Sequence, residues 1–191
     1  ISAPAAANVA RNQSPSLLAN GASIVATSGQ LSSSTGPALM LDYVFSNSWS
    51  TPGAGANHFT VVKLAGEQAH SLRGVRVAGR LDSAATDSVK NFEVWVSSTT
   101  ADDSAFSKVL PGTVLNNRTL QTFTFNSPVA ARYVKYVPLN NYGSTSTIST
   151  SNFEVMAEGA GGVAEYSTLL SYQNRPEFAL DGNLNTTWHT L

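Results

Sequence analysis

Between Thr119 and Val155 three short runs alternate apolar and polar residues, and this alternation restricts the chain more than any other feature. Phe123 and Phe125 alternate with Thr122 and Thr124. Val134 and Tyr136 alternate with Tyr133, Lys135 and Val137, and Phe153 and Val155 with Asn152 and Glu154. A side-chain period of two, carried by aromatic and β-branched residues, belongs to strands with one buried face. The intervening Asn126-Ser127-Pro128 and the segment Pro138 to Gly143 have turn or loop chemistry. The stretch is predicted to form three strands near the end of a β-sandwich.

The rest of the chain fits the same pattern. Strands are predicted at 22–28, 59–64, 72–81 and 91–98, with an edge strand at 109–115 broken by Pro111-Gly112. Residues 38–49 suit either a helical turn or a buried strand. No segment sustains a 3.6-residue period, so almost no helix is expected. The fold class predicted is all-β, an antiparallel sandwich.

The residues also carry a resemblance. Ala131-Arg132-Tyr133-Val134-Lys135 after a Phe-rich strand, a loop, and then Phe153-Glu154-Val155 resemble the closing third of discoidin domains. These are coagulation-factor C-type, galactose-binding-like jelly-roll sandwiches, which include many bacterial carbohydrate-binding modules. Phe59 to Leu64, Val75 to Val77, Val89 to Ser97 and Ser104 to Leu110 follow the order of elements in that family. The resemblance spans roughly 20–158 and rests on no single motif, so it speaks for the fold more than for a ligand.

Composition limits the function classes. Only 12% of the 191 residues are charged, about half the usual share, and the formal net charge is −1. No basic patch is visible, which argues against nucleic acid, and no apolar run approaches membrane-spanning length. With no cysteine, disulfides and thiolate metal sites are excluded. The chain starts at Ile1 without Met and reads as a processed or excised piece. Abundant Ser, Thr, Asn, Ala and Gly suit a bacterial secreted or surface module.

Shifted by 139 positions, residues 22–51 lie on 161–190 without a gap. Identities include Pro37/Pro176, Leu41/Leu180, Asp42/Asp181, Trp49/Trp188 and Thr51/Thr190. The expected organisation is therefore a linker at 1–19, one sandwich at 20–158, and the truncated start of a second copy at 159–191. That tail is expected to pack on the first sandwich or on a neighbouring molecule, because about thirty residues cannot bury a core alone.

Catalysis is not expected, although the module could accompany a larger enzyme. His58, His70 and His189 share no metal-ligand spacing, and no Gly-x-Ser-x-Gly elbow occurs. Asp82, Asp87, Asp102 and Asp103 lie in polar loops and read as solvated surface. The resemblance implies a structural Ca²⁺ on Asp42, Ser48 and Glu154, with loop carbonyls completing an oxygen shell; Asp181 and His189 are the matching residues of the truncated copy. The alternative is that Asp42 caps its turn and Glu154 is solvated or paired with Arg132. Tyr43 stands where the family usually has Gly, which puts the loop path in question. A sugar site needs an aromatic platform and a few planar hydrogen-bonding groups. Candidates are Arg80, His58, Asn91, Asn141 and Tyr142, with Trp49 and Asn140. Trp49 reads more readily as a core anchor, and Arg80 could equally be a salt-bridging surface residue. Ser50 stands where many sugar-binding relatives have His. The expected task is recognition of a glycan or surface polysaccharide beside neighbouring domains of a parent protein. The alternatives are a structural or adhesion spacer, or a phospholipid-surface module using Val44 and Phe45.

Overall fold

The computed structural model describes residues 14–44, 46–80 and 85–158. Ten strands are formed among them: β1 (Ser23–Thr27), β2 (Trp49–Ser50), β3 (Thr60–Lys63), β4 (His70–Ala78), β5 (Asn91–Ser97), β6 (Ser107–Thr113), β7 (Gln121–Ala131), β8 (Tyr133–Pro138), β9 (Ser149–Thr150) and β10 (Asn152–Ala157). They build a five-stranded sheet in the order β1-β3-β8-β5-β6, a three-stranded sheet β10-β4-β7 and a small pair β2-β9. All these ladders are antiparallel. Helical structure among the described residues is confined to short 3-10 turns, at Leu18–Asn20, Pro37–Met40 and Asp103–Ala105. The expected all-β sandwich is what the chain forms.

The core lies between the two larger sheets. Val62, Val94, Val96, Val134 and Tyr136 enter it from one sheet, and Leu72, Val75, Val77, Phe125, Phe153 and Val155 from the other. Aromatic contacts stitch the layers together: Phe92 meets Phe123 edge-on at 4.9 Å, and Tyr136 meets Phe153 at 4.7 Å between centroids. Trp49 is fully buried and stands 6.3 Å from Tyr136. Its indole N–H donates to the Gly29 carbonyl at 3.0 Å, which satisfies the polar handle that a buried Trp carries. Of its two readings, the core anchor holds.

Three expectations need correction. Asn126-Ser127-Pro128 does not separate two elements but lies inside β7. There the register jumps from Gly74↔Thr124 to Leu72↔Val129, so the turn-prone residues bulge out of a strand that resumes beyond them. Pro111-Gly112 likewise does not break β6. This strand is a sheet edge, where a missing N–H costs no ladder bond, and Gly112 is paired with Phe92. A Cβ on Gly112 would come within 2.3 Å of the Phe92 ring, so glycine makes room for the core. The linker expected at 1–19 gives way to the domain by Ser14. Ser14, Ser16 and Leu17 are buried. The Ser14 hydroxyl donates to the Val155 carbonyl at 2.7 Å, and the Val155 N–H is shared by the Ser14 and Ser16 hydroxyls at 3.1 and 3.0 Å. Val155 is on the edge strand β10, whose outward backbone groups would otherwise be open to pairing. The second copy expected at 159–191, with Asp181 and His189, lies outside the described residues.

Candidate functional site

Segments 79–80, 85–91, 114–120 and 139–149 gather at the end of the sandwich where β4 finishes and β5 begins. Segment 85–91 is their common support. Val89 N–H donates to Ser149 O at 2.9 Å and Lys90 N–H to Asn140 O at 2.9 Å. Ser149 N–H donates to Asp87 O at 2.7 Å, and Tyr142 N–H to Thr86 O at 2.9 Å. Backbone bonds between loops of distant sequence make this end a fixed surface.

Arg80 leaves the end of β4 onto this support. Its N–H donates to the Ser88 hydroxyl at 3.0 Å, and its Nη1 lies 3.3 Å from Asp87 Oδ2. Gly79 permits the approach: a Cβ there would stand 2.9 Å from Ser88 Cβ. The Asp87 carboxylate also accepts the Ser149 hydroxyl at 2.8 Å and its side chain is 17% exposed. Asp87, read from the sequence as solvated surface, is thus a partly buried brace for Arg80.

Tyr142 is half-buried beside them. Its hydroxyl donates to Val114 O at 2.5 Å, and the Lys90 ammonium lies 5.4 Å from its ring centroid. Lys90 escaped the sequence reading because a lone Lys at a strand start gives no signal. Asn91 and Asn141 face inward to the framework. Asn91 Oδ1 accepts the Thr113 hydroxyl at 2.9 Å, and Asn91 N–H donates to Asn140 Oδ1 at 3.0 Å. The Asn141 amide donates to Ser144 O and Thr147 O at 2.9 and 2.7 Å, while its Oδ1 accepts Gly143 N–H at 2.9 Å. All three polar bonds close its own turn, in which Gly143 adopts φ 118°. Arg80, Tyr142, Asn91 and Asn141 therefore share one end of the sandwich, all four half-buried, and the asparagines spend their side-chain bonds on the loop framework.

His58 stands elsewhere. Its Nδ1 is 3.5 Å from the Ser28 hydroxyl, and it lines a cleft on the outer face of the five-stranded sheet together with Trp95 and Lys135. No described hydrogen bond or ion pair joins it to Arg80 or Tyr142.

The calcium candidates divide in the same way. Asp42 Oδ1 accepts Val44 N–H at 2.7 Å and Oδ2 accepts the Asn47 amide at 3.1 Å, the turn-forming use of an Asp. Tyr43 adopts φ 65°, so the chain keeps the left-handed bend for which a Gly is usual. Glu154 is 1% exposed. Its ion-pair partner is Arg76, directly across the β10–β4 ladder with Nη1 3.5 Å from Oε2, and not Arg132, which pairs with Glu67 at 3.0 Å. Among the described residues no three His, Cys, Asp or Glu side chains converge as a metal cluster. The donor types fit a hard cation.

Comparison with known proteins follows the geometry. The F5/8 type C domain family matches residues 23–152. The family 32 carbohydrate-binding module from Clostridium perfringens NanJ, solved in complex with galactose, superposes with a TM-score of 0.57 at 17% identity, over 74% of this chain and 97% of its own. The family 32 carbohydrate-binding module from Streptococcus pneumoniae EndoD gives a TM-score of 0.60 at 11% identity, over 76% and 99%. A further Clostridium perfringens structure, in complex with GalNAc-β-1,3-galactose, gives 0.57 at 20% identity, over 73% and 96%. At these identities the likeness speaks for the fold. No curated protein sequence matches the chain.

Proposed function

Because the chain belongs to the F5/8 type C domain family, we propose that it is a non-catalytic glycan-binding module of an extracellular or cell-surface bacterial protein, where it tethers neighbouring domains to a glycan or surface polysaccharide. One observation carries this reading. Arg80 and Tyr142 are tied to adjacent residues of one braced segment, Asp87 by the guanidinium and Thr86 by the Tyr142 backbone. This pairs a planar set of donors with an aromatic ring on a rigid support, which is what a sugar's hydroxyls and its apolar C–H face require. Lys90 adds a donor at the rim. Asn91 and Asn141 hold the frame.

The test is calorimetric titration of the chain with the oligosaccharides that score on a glycan array. Arg80→Ala and Tyr142→Ala should each weaken binding by about tenfold, or 1.4 kcal/mol, with little change in melting temperature. If both variants bind like the parent, the loop-end site is wrong.

A structural Ca²⁺ on Asp42, Ser48 and Glu154 is a separate proposal, favoured by the left-handed backbone at Tyr43. The ion would cross-link the early loop to β10 and take no part in sugar recognition. Arg76 opposes it, since its guanidinium already answers the buried Glu154 charge.

A further inference from the structure

The outer face of the five-stranded sheet carries a cleft of about 370 Å³ that the loop-end site does not use. Its floor follows from strand alternation. Val94, Val96, Val134 and Tyr136 face the core, so Glu93, Trp95, Lys135 and Val137 face outward. Register sets them side by side: Lys135 pairs with Trp95, Trp95 with Lys108, and Glu93 with Val137. The segment before β3, with His58 and Phe59, forms one wall, and the turn carrying Asp103 and Phe106 forms the other.

We propose that this cleft is a second, independent sugar site, centred on Trp95, that takes a neutral hexose unit of a glycan chain. Three observations carry it. Trp95, Phe59 and Phe106 line the cleft together, a cluster of aromatic surface suited to the C–H face of a pyranose. The polar groups are already oriented. Glu93 Oε2 accepts the Trp95 indole N–H at 3.0 Å, and its Oε1 accepts Lys108 Nζ at 3.0 Å. Lys135 Nζ donates to Asp103 Oδ1 at 2.6 Å while lying 4.7 Å from the Phe59 centroid. A carboxylate has about four lone-pair sites and an ammonium three donors, so each group has capacity for sugar hydroxyls beyond these contacts. Lastly, charge decides between neutral and acidic ligands. Glu93 pairs with Lys108 and Asp103 with Lys135, so the four charges cancel, and an acidic sugar would have to draw Lys135 from Asp103. The volume lies near the lower end of small-ligand sites, roughly 300–1,000 Å³, as a mono- or disaccharide requires.

The Trp95 indole N–H resonance reports on this site alone. It should shift when the chain is titrated with neutral β-galactoside, β-glucan or chitin oligosaccharides, and should shift equally in Arg80→Ala. Trp95→Ala should abolish the second binding event. Glu93→Gln, which keeps the fold's apolar contacts, should weaken it by about tenfold while leaving the melting temperature near that of the parent. If binding is lost in Arg80→Ala and the Trp95 resonance never moves, the cleft proposal falls and the loop-end reading stands. If the resonance moves and the loop-end variants bind like the parent, the cleft stands and the loop-end reading falls. A resonance that responds only to uronic-acid oligosaccharides overturns the neutral class, and one that responds to none of these sugars overturns the cleft proposal.

Discussion

Asp87 Oδ2 lies 3.3 Å from Arg80 Nη1 and at the same time accepts the Ser149 hydroxyl at 2.8 Å. One carboxylate therefore joins the cation proposed to contact sugar to the loop that closes the sandwich. Asp87→Ala should weaken glycan binding by about tenfold, or 1.4 kcal/mol, since Arg80 loses a charged partner that helps hold its plane. Thr150→Val is the control: it removes a buried hydroxyl bonded to the Tyr136 hydroxyl at 2.9 Å and should lower the melting temperature while leaving affinity near the parent's. Calorimetry beside thermal melts separates the two effects, and an Asp87→Ala variant with parental affinity would show that Arg80 needs no brace.

Tyr136 supplies a pH prediction. Burial pushes its hydroxyl pKa well up, against a smaller opposite pull from its bond to Thr150, at 2.9 Å. In the unfolded chain the same group ionises near pH 10. The folded pKa is the higher one, so the phenol's contribution is fully present below about pH 10 and is lost as pH rises above that value. Tyr136→Phe should cost about 1 kcal/mol at neutral pH through the lost hydrogen bond. Denaturant titrations of the two proteins should then converge above about pH 10; a constant gap up to pH 11 would be evidence against the assignment.

Trp49→Ala should cost about 3–5 kcal/mol, the range for emptying a buried aromatic site, because the indole touches Tyr136 and caps the Gly29 carbonyl. Trp49→Phe should recover much of that loss. Urea unfolding measures both, and a loss under 1 kcal/mol for the Ala variant would contradict the packing described.

For calcium, the measurement is the melting midpoint in chelator and then in excess Ca²⁺. An ion held by Asp42, Ser48 and Glu154 in the folded state alone must raise the midpoint by mass action, and Glu154→Gln should abolish the rise. An unchanged midpoint leaves Arg76 as the answer to the Glu154 charge and removes the metal.

The fold was legible because its strands bury one face each, and alternation at Phe92, Val94 and Val96 or at Val134 and Tyr136 records that burial directly. The errors came where position in the sheet outweighs local propensity. Pro111 is tolerated because β6 is an edge, and Asn126-Ser127-Pro128 because β7 can bulge. Neither fact is written in the local sequence. The candidate site was legible only in part. Arg80 and Tyr142 fall on one surface, whereas Asn91 and Asn141 serve the loops, and His58 belongs to another face. Asp87, Lys90 and Trp95 gave no signal. A carboxylate in a polar loop looks solvated until the Arg beside it is seen, and an outward Trp in a strand reads as one more alternating residue.

The Ser14 and Val155 contacts have a mechanical consequence. They join residues 141 positions apart, so the chain enters the sandwich beside the strand by which it leaves. Tension between the segment before Ser14 and that after Glu158 would act on these rim hydrogen bonds, and on the Glu158 contacts with Ser71 and Arg73, before it reached the aromatic core. On the entry side the yielding step would be the peeling of residues 14–17, which would lengthen the chain by at most about 3.6 Å per residue while the sheets stay packed. Under such a load the loop end and the outer sheet face would keep their shape after the entry segment had been stripped.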